Sequence, residues 1–218
     1  MRISVDTKAT VLLGPYSRGG CSRGRQPVAA ADHDMMDKQK LVPGGILEMK
    51  LGRPFLFFTA SCKTSDFLVD GIALWWRENQ ARLAGTKRLV VNLDNGPECS
   101  GHRSQFLWRM VEFADREKLA VRLIYYPPYH SKYNGIERYW GGLERSWNGY
   151  LLDSVETVLR RAANFCWRTN PTTSRLVAGV YEKGVTLGNP EKRDLEKRLS
   201  RSATLPWWDI TIQPQAVF

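Results

Sequence analysis

Two short segments, RLVVNL at 88–93 and VRLIYY at 121–126, are apolar at most positions, and one helix-length stretch separates them. Such runs read as strands buried on both faces, and they need a layer of helix on each side. The rest of the chain fits that demand. Residues 2–13 are β-branched and partly alternating, which predicts a strand. Residues 45–50 and 54–60 predict a hairpin about the turn LGR. Thr64 or Ser65 offers an N-cap for a helix whose apolar stripe runs through Phe67, Leu68, Ile72, Leu74, Trp75 and Leu83. Ser104 offers a cap for a second helix, and a loop after Pro127-Pro128 leads to a third helix over 136–152. The order hairpin, helix, strand, helix, strand, helix predicts one mixed α/β sheet with helices on its faces. Residues 14–44, rich in Gly, Pro and polar groups, predict a long loop or β-arm. The expected division is a core over 1–150 and a C-terminal helical extension over 151–218 packed on it. That extension has helical pieces at 154–168 and 191–201.

Composition narrows the function. The chain has 218 residues, 43% hydrophobic and 25% charged, which suits a globular domain and excludes a disordered chain. No apolar run is long enough to cross a bilayer, and the start lacks the apolar core of a signal peptide, so a soluble cytoplasmic protein is expected. Four scattered cysteines form no Cys-x-x-Cys, which argues against a zinc site. The net charge of +10 is spread along the chain rather than gathered in a tail. A uniformly basic fold suits a polyanionic partner, nucleic acid above all, although a basic but merely soluble protein has the same balance.

Three acids stand out by position. Asp6 lies on the first strand, Asp94 closes the strand 88–93 in NLDNG, and Glu137 falls in the first turn of the helix after Pro127-Pro128. Functional groups in open α/β sheets gather at strand ends. Converging carboxylates repel one another unless cations lie between them, and an Asp-Asp-Glu set of hard oxygens suits Mg²⁺ or Mn²⁺. Two such ions about 4 Å apart can activate a water or a 3′-hydroxyl and stabilise the leaving oxygen of a phosphodiester. Each acid also has a plain structural explanation. Asp94 suits an Asx or Asn-Gly turn, and Glu137 suits the positive end of a helix capped by Ser131 or Asn134.

The fragments VDTKA, GPYSRGG, ADHD, FLFFTASCKTSDFLVD, LVVNLDNGPE, LIYYPPYHSKYNGIERYWGGLE, LLDSVETVL and LPWWDITIQP resemble the ISAzo-type insertion-sequence transposases over nearly the whole length. These are DDE transposases with an RNase H-like (integrase-type) catalytic core. The resemblance implies a catalytic and metal-binding triad of Asp6, Asp94 and Glu137, and two Mg²⁺ or Mn²⁺ ions. It also implies cleavage at transposon ends with transfer of the 3′-hydroxyl to target DNA. Family members carry a helix-turn-helix region before the catalytic strand. A truncated copy without sequence-specific end binding is therefore expected here. A homodimer and a separate N-terminal DNA-binding segment are the candidate further partners. Members also carry Pro before the Ile-Glu-Arg, where this chain has Gly135. Glycine loosens the first helical turn by about 1 kcal/mol.

Candidate DNA contacts are Lys8, Arg18, Arg23, His130, Lys132, Asn134 and Arg138, as phosphate-binding groups beside the acids or on the glycine-rich loop. Arg25 belongs with them, and His33 suits a turn better than a metal. A solvated helix face or a surface loop accounts equally well for these charges. Most of the tryptophans are expected in the core, and Trp207-Trp208 are expected to pack the tail onto the domain. Two other functions remain open from the sequence. One is an inactive remnant that binds DNA non-specifically through its charge. The other is a stand-alone nuclease of the RNase H type.

Overall fold

The structure is a computed structural model that describes residues 1–21, 26, 28–31, 39–127 and 133–215. Its strands are β1 (Arg2–Thr7), β2 (Val11–Leu12), β3 (Lys40–Glu48), β4 (Pro54–Thr59), β5 (Arg88–Leu93), β6 (Ala120–Tyr125), β7 (Cys166–Trp167), β8 (Asn170–Pro171), β9 (Thr173–Leu176), β10 (Leu199–Arg201) and β11 (Asp209–Ile212). The helices are α1 (Ser65–Glu78), α2 (Ser104–Glu117), α3 (Gly135–Trp147), α4 (Val155–Ala163) and α5 (Asn189–Arg198). The main sheet runs β10-β11-β6-β5-β1-β3-β4-β9, with β2 beside β3. At its centre β1, β3 and β4 form an antiparallel meander. Strands β5 and β6 then add parallel to β1.

Alternation along the strands divides the core into two layers. Ile3, Val5, Phe55, Phe57, Leu89, Val91 and Leu93 point to one face, under α1 and α2. Leu56 and Phe58 point to the other, with Ile136, Tyr139, Trp140 and Leu143 of α3. The helix N-cap expected at Thr64 is present: its hydroxyl accepts from the Phe67 amide at 3.2 Å. Trp75, Trp76, Trp140 and Trp147 are buried, as expected of core aromatics.

Three expectations need correction. Residues 40–44 were expected in a loop, yet they open β3. The Pro43-Gly44-Gly45 run looks like a breaker but serves the sheet. In antiparallel pairing a residue's N–H and C=O point the same way. Pro43 O accepts from Lys8 N, so the missing N–H of Pro43 faces Lys8, just past the end of β1, and costs the sheet only one bond at the end of the β1–β3 ladder. A Cβ on Gly44 would lie 2.3 Å from the Phe57 ring, and one on Gly45 would lie 2.7 Å from the Trp140 ring. Second, the segment after 150 is not purely helical: β9 extends the sheet beyond β4, and β10-β11 extend it beyond β6. Third, α2 starts one residue after its N-cap Arg103, so Ser104 is its first residue rather than its cap.

Two alanine substitutions are expected to act with opposite signs. Gly45→Ala drives a methyl into Trp140 and Ile136 and should destabilise by about 1–3 kcal/mol. Gly141→Ala, inside α3 with open space around it, should stabilise by roughly 0.5–1 kcal/mol. Urea unfolding midpoints of the two variants check both signs.

Candidate active site

Parity and register bring the first two carboxylates together. Ser4 of β1 pairs with Asn92 of β5. Asp6 and Asp94 each lie two residues further on, so both point to the same sheet face from neighbouring strand ends. Helix α3 covers that face only over β1, β3 and β4. Towards β5 and β6, Val90, Arg122 and Ile124 stay half-exposed, and the acids lie where the helical cover ends.

The helix carrying Glu137 is seated by three hydrogen bonds to β1. The Ser4 hydroxyl donates to Asn134 Oδ1 and accepts from Ile136 N at 2.9 Å. Asn134 Nδ2 donates to Val5 O at 3.3 Å. Ser4 therefore takes one of the orphan amides at the start of α3 that a cap would otherwise satisfy. Asn134 occupies the N-cap position, but its side chain makes no cap bond. It is also fully buried, which overturns the expectation that it contacts DNA. Gly135 begins the helix, and a Cβ there would meet only the flexible end of Met49, at 2.8 Å.

Asp6 is 8% exposed. Its Oδ1 accepts from Thr7 N at 2.7 Å and its Oδ2 from Trp140 Nε1 at 3.1 Å. Burial, followed by the charges of Asp94 and Glu137, raises its pKa from 3.8 to about 7. Glu137 is raised too, by burial and then by Asp94, while Lys8 pulls it down. Asp94 Oδ1 accepts from Gly96 N at 3.1 Å and from Cys99 Sγ at 3.6 Å. Asn95 takes the left-handed conformation, φ 63°, so the Asx turn expected of NLDNG coexists with a carboxylate at the strand end. The three acids thus share one electrostatic neighbourhood. Among the described residues, however, no three His, Cys, Asp or Glu side chains close into a ready-made metal cage. The donor set still fits a hard divalent cation in its chemistry. The mutual repulsion that raises Asp6 is what such a charge relieves.

The other candidates separate. Lys8 pairs with Glu144 of α3 at 2.8 Å, beside the acids. Arg138 is exposed on α3 next to Glu137. Arg18 is half-buried and donates to Leu12 O at 2.8 Å, so its guanidinium is turned inward. Arg23, Arg25, His33, His130, Ser131 and Lys132 lie outside the described residues. Sequence reasoning missed Ser4 as a seat for α3 and Trp140 as a ligand of Asp6. The signal for Ser4 was its place two residues before Asp6, on the same strand face.

The strand order and the helices on both faces of the mixed sheet define an RNase H-like fold. The chain belongs to the Rhodopirellula transposase DDE domain family, whose model matches residues 1–214. Among solved structures it is similar to a Mos1 transposase paired-end complex with left transposon end. That likeness has a TM-score of 0.52 at 10% identity, covering 73% of this chain and 45% of that one, and it speaks to the fold alone. The present chain therefore spans less than half of the Mos1 transposase chain. No curated protein matches the sequence. Among the described residues, no helix is long and apolar enough to cross a membrane.

The raised pKa of Asp6 links stability to pH. The folded chain holds the Asp6 proton more tightly than the unfolded chain, so this contribution is complete below pH 3.8 and is lost as pH rises through about 7. Without metal, Asp6→Asn should stabilise the protein by up to about 4 kcal/mol at pH 8. Its advantage should shrink to less than half of that at pH 5. Urea unfolding in a chelator at the two pH values measures the difference.

Proposed function

We propose that this chain catalyses metal-dependent cleavage and strand transfer of DNA at the ends of an insertion sequence, with Asp6, Asp94 and Glu137 as the catalytic, metal-holding carboxylates. One observation carries the reading: in a domain of a DDE transposase family, Asp6 and Asp94 lie at neighbouring strand ends on one sheet face, and Ser4 on that same face seats the helix that carries Glu137. Two Mg²⁺ or Mn²⁺ ions held there would supply activation of a water or 3′-hydroxyl and charge stabilisation at the leaving oxygen.

The protein's own part is orientation. Thr7 N and Trp140 fix both oxygens of Asp6. The turn through Gly96 holds Asp94, and the Ser4–Asn134 seat sets where α3 presents Glu137. Lys8 and Arg138 bring positive charge to the rim, where a DNA phosphate would lie. The described neighbour is a paired-end complex, which favours two copies of this chain acting on two DNA ends. Recognition of the end sequence is assigned in the same proposal to a separate N-terminal DNA-binding segment. The place of action is the cytoplasm, on the nucleoid.

Calorimetry with Mn²⁺ tests the site, on the wild type and on Asp94→Asn, each with a short pre-nicked DNA. Saturable binding by the wild type, abolished in the variant together with strand cleavage, is the expected result. Absence of Mn²⁺ binding in both proteins would instead favour an inert fragment. Such a fragment would hold DNA through charge alone, with a steep salt dependence indifferent to Asp94→Asn.

A further inference from the structure

The tail that extends the sheet also places an aromatic stack beside the acids. Strand β11 runs antiparallel to β6, so its first residues lie at the end of the sheet where β5 and β6 finish. Trp208 O accepts from Tyr125 N at 2.9 Å and fixes this junction. Trp207, 39% exposed, therefore stands at the same end of the sheet as Asp94. Strand β11 is two strands away from β5, roughly 10 Å across the sheet.

The His102 ring stacks on Trp207 with centroids 4.1 Å apart and planes 27° apart. The Arg201 guanidinium lies 4.3 Å from the centroid of the same indole. Two planar groups centred that close to one ring cannot share a face, so the order is Arg201, Trp207, His102. Arg201 is immobilised: it pairs with Glu196 through 2.9 and 2.7 Å bonds and donates to Gly101 O and Pro206 O at 3.1 and 3.0 Å. Gly101 presses on the Trp207 backbone, where a Cβ would lie 2.1 Å from Trp207 O. Gly101 N also donates to Asn95 Oδ1 at 3.2 Å, which ties the stack to the turn that carries Asp94. The outer layer, His102, is exposed.

We propose that His102, backed by Trp207 and Arg201, is a stacking platform for an unpaired base of the DNA strand flanking the phosphate held at Asp94. The proposal rests on the DNA-processing reading above and names a subsite for it. A core contact would bury both rings, whereas here His102 is exposed and Trp207 is 39% exposed at the end of the sheet that carries Asp94. Every base has a π-face, so such a platform accepts any base. Its backing layer, Arg201, is already fixed by hydrogen bonds, and His102 is already stacked on Trp207, so little side-chain freedom is lost on binding. The backing guanidinium adds positive charge to a contact made next to phosphates.

The test is binding of two DNAs by the full chain in a chelator, which prevents cutting. Both are short duplexes with a single-stranded overhang. One carries 2-aminopurine at the nucleotide nearest the duplex, and the other is abasic there. The wild type should bind the first about tenfold more tightly and quench its fluorescence. His102→Ala should bring the two affinities together, and His102→Tyr should restore the difference. Equal affinity of the wild type for both DNAs, binding of neither, or discrimination that survives His102→Ala would each overturn the platform. The outcome is separable from the catalytic reading. Base discrimination in a protein that binds no Mn²⁺ would support the platform while removing the metal site. Mn²⁺-dependent cutting without discrimination would do the reverse.

Discussion

Ser4 donates to Asn134 and accepts from the amide of Ile136, and through these bonds the helix bearing Glu137 is seated on the strand bearing Asp6. The rest of the site depends on that seat. Strand parity alone places Asp6 and Asp94 side by side, because β1 and β5 are hydrogen-bonded neighbours in parallel register. No backbone rule places Glu137 near them, since it follows β6, which lies beyond β5, and must return across the sheet. Its position is set by side chains: Ser4, Asn134 and the indole of Trp140 on Asp6. All three are buried, where a lost partner costs about 1–3 kcal/mol. A loose N-terminal turn at Gly135 is tolerated for the same reason, because the first turn of α3 is held from β1 rather than by its own cap.

The glycines at 44 and 45 show how a site can depend on residues that look like breaks. Trp140 reaches Asp6 across β3 only because Gly45, the residue paired with Asp6, has no side chain to block the indole. From the sequence, Pro-Gly-Gly reads as the end of a loop. In the sheet each glycine leaves a gap on its own face of β3, Gly44 for the Phe57 ring and Gly45 for the Trp140 ring. That difference is tertiary, and periodicity cannot reveal it. What was legible were the strands β5 and β6 themselves, although the face of β6 away from α1 and α2 is half-exposed rather than buried, and the places of the three acids at a strand or a helix start, which follow from local chemistry. Asn134 was misread because its residue type suits both a cap and a phosphate contact, and only its burial decides between them. The tail was read as helical because β9, β10 and β11 are three or four residues each, too short for an alternating pattern to register.

Those short strands change what the tail does. A helical appendage would leave β6 as an edge with unpaired backbone groups. With β11 beside it, β6 becomes an interior strand, and the Trp207-Trp208 pair is carried to the end of the sheet where β5 and β6 finish. Trp208 joins the backbone of β6 there, while Trp207 turns outward to meet His102. The adjacent tryptophans thus divide into one that closes the sheet and one that faces out.

The placement of Asp6 runs against stability. Its carboxylate is nearly buried and lies near two like charges, while its two hydrogen bonds offset only part of the cost, so its pKa still rises to about 7. A fold selected for stability alone would place an amide or an apolar residue there. Local rules that a sequence breaks without structural gain point to candidate functional positions, and a carboxylate held against its own ionisation is such a candidate, in keeping with the role proposed for Asp6. The scaffold around it is correspondingly firm: a two-layered core, aromatic rings set into glycine clefts, and a helix fixed at its first turn. That rigidity keeps the three carboxylates from moving apart to relieve their repulsion. Under the proposed function, a cation rather than relaxation of the fold would neutralise their mutual charge.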